Sequence, residues 1–145
     1  PPLWRVAFGV KRKLVLFEHQ TQGGGAGAAW TFLKELAMPE SVVALCWHGD
    51  SICVGYKREY NIVKVNTGQI ISVGLTLESP AEPYIKVLPG PQFLLGGMEQ
   101  VGVIVDGNAM PTSGVVGWSA RAPACRGWCV SARVAASDSH WAIWA

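Results

Sequence analysis

Cysteine and histidine are the side chains of this sequence best suited to hold a metal or start nucleophilic chemistry. The cysteines are Cys46, Cys53, Cys125 and Cys129, and the histidines are His19, His48 and His140. A zinc site needs tight Cys pairs or histidines at ligand spacing. The nearest pair, Cys125 and Cys129, has three residues between them, and no Cys-x-x-Cys occurs. Cys46 and Cys53 sit in apolar runs, where a free thiol behaves as a small core hydrophobe. This usage points to unpaired thiols inside the cell. His48 and Asp50 fall on a tight turn, where local hydrogen bonding is the usual role. The glycine-rich stretch Gly23 to Ala29 has linker composition. It lacks the following helix and the Lys-Ser or Lys-Thr step of a phosphate-binding loop. No Gly-x-Ser-x-Gly elbow is present, and no carboxylate pair sits where a raised pKa is expected. The expectation is therefore no catalytic residue, no cofactor and no metal.

Two clusters of cations remain, Lys11-Arg12-Lys13 and Lys57-Arg58. Side by side on one face, they would suit an acidic protein partner or an anionic membrane surface. The plainer reading is that hairpin turns face water and carry charge for that reason. It is favoured because the third equivalent turn, Glu99-Gln100, breaks the positive run. A formal net charge of +2 gives no case for nucleic acid.

The elements that position these turns come from an internal repeat. Phe8 to Glu18, Val54 to Lys64 and Gly96 to Asp106 each read as an apolar strand ending in Gly, a polar turn, and a second apolar strand. Gly9 and Gly55 are 46 residues apart, and Gly55 and Gly97 are 42 apart. Four-stranded propeller blades repeat at this interval. Val42 to Trp47 and Tyr84 to Leu88 supply innermost strands. Trp30 to Leu36, Ile70 to Gly74 and Val115 to Trp118 supply outer ones. Trp47 and Trp118 end apolar strands and suit packing between blades. The fold class is all-β, a partial β-propeller of two to three four-stranded antiparallel blades. The chain starts inside one blade, completes a second and most of a third. A piece of this kind is expected to be aggregation-prone, since it leaves faces and edges uncovered.

Composition agrees with this architecture. Hydrophobic residues make up 50% of the chain and charged ones only 15%, which excludes a disordered tail. No apolar run reaches membrane-spanning length, and no leader pattern is visible. The chain begins Pro1-Pro2 and not Met, so the native N-terminus is expected upstream.

Ala44-Leu45-Cys46-Trp47 followed by Ser51 to Tyr60 resembles the citron homology domain. The likeness is to the version in vacuolar-sorting tethering subunits of the HOPS and CORVET complexes, the group that includes the transforming-growth-factor-β-receptor-associated protein. Lys13 to Glu18, Lys34-Glu35-Leu36, Phe93-Leu94-Leu95, Val105-Asp106-Gly107, Gly117-Trp118-Ser119 and Pro123 extend the resemblance over residues 3–123. The resemblance implies a non-catalytic propeller ahead of an α-solenoid, in the cytoplasm and peripheral on endosomal and lysosomal membranes. It implies binding to small GTPases or other tethering subunits. The alternative is the same domain regulating a kinase or a Rho exchange factor. Lys11, Arg12, Lys13, Lys57 and Arg58 are the candidate partner-binding residues. Residues 124–145 do not fit the repeat and are expected to be a divergent or non-native tail.

Overall fold

Apolar residues alternating with polar ones, interrupted by short turns, produce an all-β chain. The computed structural model describes residues 3–20, 29–77, 83–90, 92–96, 101–112, 115–117, 133–135 and 138–144. The first blade holds β1 (Leu3–Val10), β2 (Lys13–Gln20) and β3 (Trp30–Ala37). The second holds β4 (Ala44–His48), β5 (Ser51–Gly55), β6 (Glu59–Lys64) and β7 (Ile70–Thr76). The third holds β8 (Ile85–Leu88), β9 (Gln92–Gly96), β10 (Val101–Asp106) and β11 (Val116–Gly117). In the second and third blades each strand pairs antiparallel with the next in sequence. Successive four-stranded meanders, packed face on face, are the architecture of a partial β-propeller.

The expected hairpins at Lys11 and Lys57 are present, joining β1 to β2 and β5 to β6. The Glu99-Gln100 turn, Trp118, residues 23–28 of the glycine-rich stretch, Cys125 and Cys129 lie outside the described residues. Trp30 to Ala37 alternates only in its second half. Its first half is exposed on both faces, and a bulge at the Leu16/Phe17 step shifts its pairing with β2.

The blades are held by two apolar cores. Ala7, Leu14 and Leu16 of the first blade pack with Trp47, Ile52, Val54 and Val63 of the second. Cys53, Tyr60 and Ile62, on the opposite face of the second blade, pack with Ile85, Phe93, Leu95 and Val105 of the third. Period-two geometry makes one strand serve both cores: Ile52 and Val54 face back, Cys53 faces forward.

The repeated glycine has a steric cause. A Cβ on Gly9 would stand 2.6 Å from Val42 Cγ1, and one on Gly55 would stand 2.7 Å from Pro83 Cβ. Val42 and Pro83 both belong to the segment that crosses to the next blade, and it passes directly over the end of the second strand. In the third blade the equivalent glycine is Gly96 and not Gly97. Gly96 ends β9 opposite Tyr84 and bonds its carbonyl at 2.9 Å. The apolar period of Phe93 and Leu95, which face the second blade, fixes the phase there.

Among the described residues, no strand earlier in sequence pairs with β1. Beside β1, where β4 and β8 stand in the other blades, lies β13 (Asp138–Trp144), hydrogen-bonded in turn to β12 (Arg133–Ala135). β13 runs parallel to β1, whereas β4 and β8 are antiparallel to β5 and β9. The C-terminal segment thus takes the inner-strand position without the polarity of the repeat.

Candidate binding surface

The Lys11 and Lys57 turns are equivalent in hydrogen bonding as well as in sequence. The Arg12 carbonyl accepts from Met38 N–H at 2.8 Å, and the Arg58 carbonyl accepts from Leu77 N–H at 2.6 Å. In both cases the donor opens the segment leading to the next blade. Each turn therefore caps the same edge of its blade, and the two share one face of the propeller. Lys11 adopts φ 52°, in the left-handed region, with its carbonyl accepting from Val42 N–H at 2.8 Å. A left-handed φ is what a tight hairpin requires.

Lys11, Arg12, Lys13, Lys57 and Arg58 are all exposed. They are not equally available. Lys13 Nζ lies 2.7 Å from a carboxylate oxygen of Glu35 on β3. Arg12 donates through Nη2 to the Pro39 carbonyl at 2.6 Å. Lys11, Lys57 and Arg58 carry the accessible positive charge, with Glu59 next to Arg58 in the chain. The cation pattern was visible in sequence. The carboxylate Glu35, which neutralises Lys13 from another strand, was not, because the pairing of Lys13 with Ala37 that brings β3 alongside β2 is a tertiary fact.

Among the described residues no group of three His, Cys, Asp or Glu side chains is placed to hold a metal. Cys46 and Cys53 are buried and opposite one another across β4 and β5. Burial pushes the Cys53 thiol far above its ordinary range, which makes it a poor nucleophile. The opposite edge of the propeller carries the turns at Asp50 and Asp106. There Asp50 Oδ1 accepts from Asn66 N–H at 3.2 Å, and Asp106 Oδ1 from Asn108 and Met110 N–H at 2.8 and 3.0 Å. These carboxylates are occupied in turn geometry. His48 stands edge-on to Phe93, ring centroids 6.5 Å apart.

The tyrosines are the polar residues that sequence reasoning missed. Tyr60 reaches from the second blade into the third. Its hydroxyl accepts from Tyr84 N–H at 2.8 Å and donates to the Gly96 carbonyl at 2.7 Å. Tyr56 accepts from Asn61 Nδ2 at 3.1 Å and contacts Met38 Sδ at 3.6 Å. Their placement at the ends of apolar strands was the available signal, since buried phenols seek partners.

No family model matches the chain. It is 29% identical over 103 residues to vacuolar sorting protein 39 of Arabidopsis thaliana, covering 71% of this chain and 10% of that protein. The chain therefore spans about a tenth of the length of the curated relative it matches. Among solved structures it is similar to the N-terminal domain of Nup159, at 15% identity and a TM-score of 0.45, over 74% of this chain and 29% of that one. No helix in the described residues is long and apolar enough to cross a membrane. An all-β chain of stacked blades, with a vacuolar sorting protein as sequence relative, is what the findings establish.

Proposed function

We propose that the chain is a non-catalytic protein–protein interaction platform of a vesicle-tethering protein in endosome-to-lysosome or vacuole transport. The similarity to vacuolar sorting protein 39 over 103 residues carries this reading. Residues 3–123 form the propeller piece, of citron homology type, and residues 124–145 are a divergent or non-native tail. The partners are small GTPases or other subunits of HOPS- or CORVET-type complexes. The protein acts on the cytoplasmic side, peripheral on endosomal and lysosomal membranes.

The basic edge of the propeller supplies electrostatic contact. Lys11, Lys57 and Arg58 are its main contributors, and Arg12 and Lys13 are secondary because each is already engaged. Exposed charges act chiefly on association rate and salt dependence. The test reverses Lys11, Lys57 and Arg58 to Glu in the full-length protein, and measures endosomal recruitment and partner pull-down at two salt concentrations. Weaker binding at low salt, with the difference shrinking at high salt, supports the basic edge. Unchanged binding at both would remove it from the interface. The platform reading fails if the intact protein binds no tethering subunit or GTPase.

A further inference from the structure

The second blade holds two thiols in register. Cys46 of β4 and Cys53 of β5 are directly opposed, and both pack towards the third blade among Tyr60, Ile62, Ile85 and Phe93. The hairpin that joins these strands fixes how the two cysteines meet. Its two-residue turn is Gly49-Asp50 with Gly49 at φ 59°, so His48 and Ser51 form the first hydrogen-bonded pair. Hydrogen-bonded and non-hydrogen-bonded pairs alternate, which makes Cys46 and Cys53 a hydrogen-bonded pair with Cα atoms about 5.5 Å apart. That separation lies inside the roughly 4.4–6.8 Å that a disulfide spans. The Cβ atoms of opposed residues stand about 4.5–5.5 Å apart, wider than the roughly 3.5–4.5 Å of a disulfide. Closing the bond therefore draws β4 and β5 together at this step and strains the hairpin. Strained disulfides are the readily reduced ones.

Cys46 also links two blades. Its thiol donates to the Ile85 carbonyl of β8 at 3.7 Å, so one proton connects the inner strands of the second and third blades. A disulfide carries no S–H, and forming one removes this link. Both thiols are buried. Thiol oxidation proceeds through the thiolate, which burial disfavours, so the reaction waits on a parting of the two blades.

We infer that Cys46 and Cys53 are a peroxide-responsive dithiol whose closure to a cross-strand disulfide loosens the joint between the second and third blades. One sulfur attacks an oxygen of hydrogen peroxide: an S–O bond forms, the O–O bond breaks, and the other oxygen leaves as water with the thiol proton. The second sulfur then attacks the resulting sulfenic acid: the S–S bond forms, the S–O bond breaks, and the hydroxyl leaves as water with the second proton. The two thiols together lose two electrons and two protons, and one peroxide becomes two waters. A small thiol reverses the reaction by exchange. This inference is independent of the tethering role.

The experiment uses the full-length protein with hydrogen peroxide, and reads the single tryptic peptide that carries both cysteines, residues 35–57. Thiols that remain after peroxide are alkylated in denaturant, and the peptide mass is measured. The expected product is an unalkylated peptide lighter by two hydrogens, which dithiothreitol restores to the doubly alkylated form. Its rate of formation should rise several-fold in urea kept below the unfolding transition. Amide exchange across β8 should be several-fold faster in the oxidised protein than in the reduced one. Cys53→Ser should abolish the lighter peptide; Cys46→Ser takes its place if circular dichroism shows that the first variant has lost its strands. A peptide that stays doubly alkylated after peroxide would overturn the proposal. So would oxidation of one cysteine to a sulfinic acid without a disulfide, a rate that urea leaves unchanged, or β8 exchange that is the same in both forms.

Discussion

Tyr60→Phe tests how the second and third blades are held together. The outermost residues of the β8–β9 ladder, Tyr84 and Gly96, are opposed, and Gly96 N–H donates to the Tyr84 carbonyl at 2.9 Å. The reciprocal bond of such a pair would run from Tyr84 N–H to the Gly96 carbonyl. The Tyr60 hydroxyl stands in its place, accepting from one and donating to the other at 2.8 and 2.7 Å. Phe keeps the ring in the core and removes only this relay. It leaves a backbone donor and a backbone acceptor without it, each worth about 1–3 kcal/mol when buried. Gly96 is buried and Tyr84 is half-exposed, so water reaches the second group more readily. The expected loss is about 2–3 kcal/mol in total.

Urea unfolding followed by far-UV circular dichroism reads this loss. At a slope of about 1–3 kcal/mol per molar urea, the midpoint falls by roughly 0.7–3 M. Amide exchange at Tyr84 should accelerate in the same variant, since its N–H loses a buried acceptor. A midpoint within about 0.3 M of wild type, with Tyr84 exchange unchanged, would mean that the ladder closes directly and that the hydroxyl splice contributes nothing.

Further outcomes follow from the same packing. Gly55→Ala sets a Cβ 2.7 Å from Pro83 Cβ, and it should destabilise by about 1–3 kcal/mol in thermal or urea unfolding, less the entropic gain of Ala. Lys11→Gly relieves a left-handed residue at φ 52° and should leave stability within about 1 kcal/mol of wild type or above it. Cys46 and Cys53 should resist a thiol reagent in the native state and react together on unfolding, because both are buried and the Cys53 thiolate is disfavoured. Burial pushes the Tyr56 phenol from 10.0 up to about 12. The native state then holds its proton where the unfolded chain releases it. This contribution to stability is intact below pH 10 and is lost as pH rises from there towards about 12. A tyrosinate absorbance titration that follows ordinary phenols at pH 10 would contradict it.

The strands and their turns were legible because period-two alternation and the Lys11 and Lys57 turns are local signals. The glycine repeat was legible as a spacing, but its phase in the third blade was not. Gly96 and Gly97 are adjacent, and it takes the packing of Phe93 and Leu95 against the second blade, with Tyr84 set against Gly96, to select between them. The bulge beside Phe17 was equally hidden, since it concerns how two strands register and not what either contains. At the candidate surface, sequence supplied five cations and could not rank them. The ranking depends on Glu35 and the Pro39 carbonyl arriving from another strand and from the segment between blades.

The crossing segments connect that surface to the fold. Met38 and Leu77, through their N–H groups, tie the carbonyls of Arg12 and Arg58 to the start of the next crossing. Val42 and Pro83, a few residues on, press against Gly9 and Gly55. The basic turns therefore sit on the chain segments that set the spacing between blades. Their backbone is fixed by blade packing while Lys11, Lys57 and Arg58 remain in water. That division predicts separable effects. Charge reversal at these three side chains should alter association and leave the free energy of unfolding within about 0.5 kcal/mol of wild type. Gly9→Ala should shift the midpoint through its clash with Val42, and displace the Lys11 turn with it. Coupled loss of stability and binding in the charge variants would show that the cations, and not only their backbone, hold the blades in place.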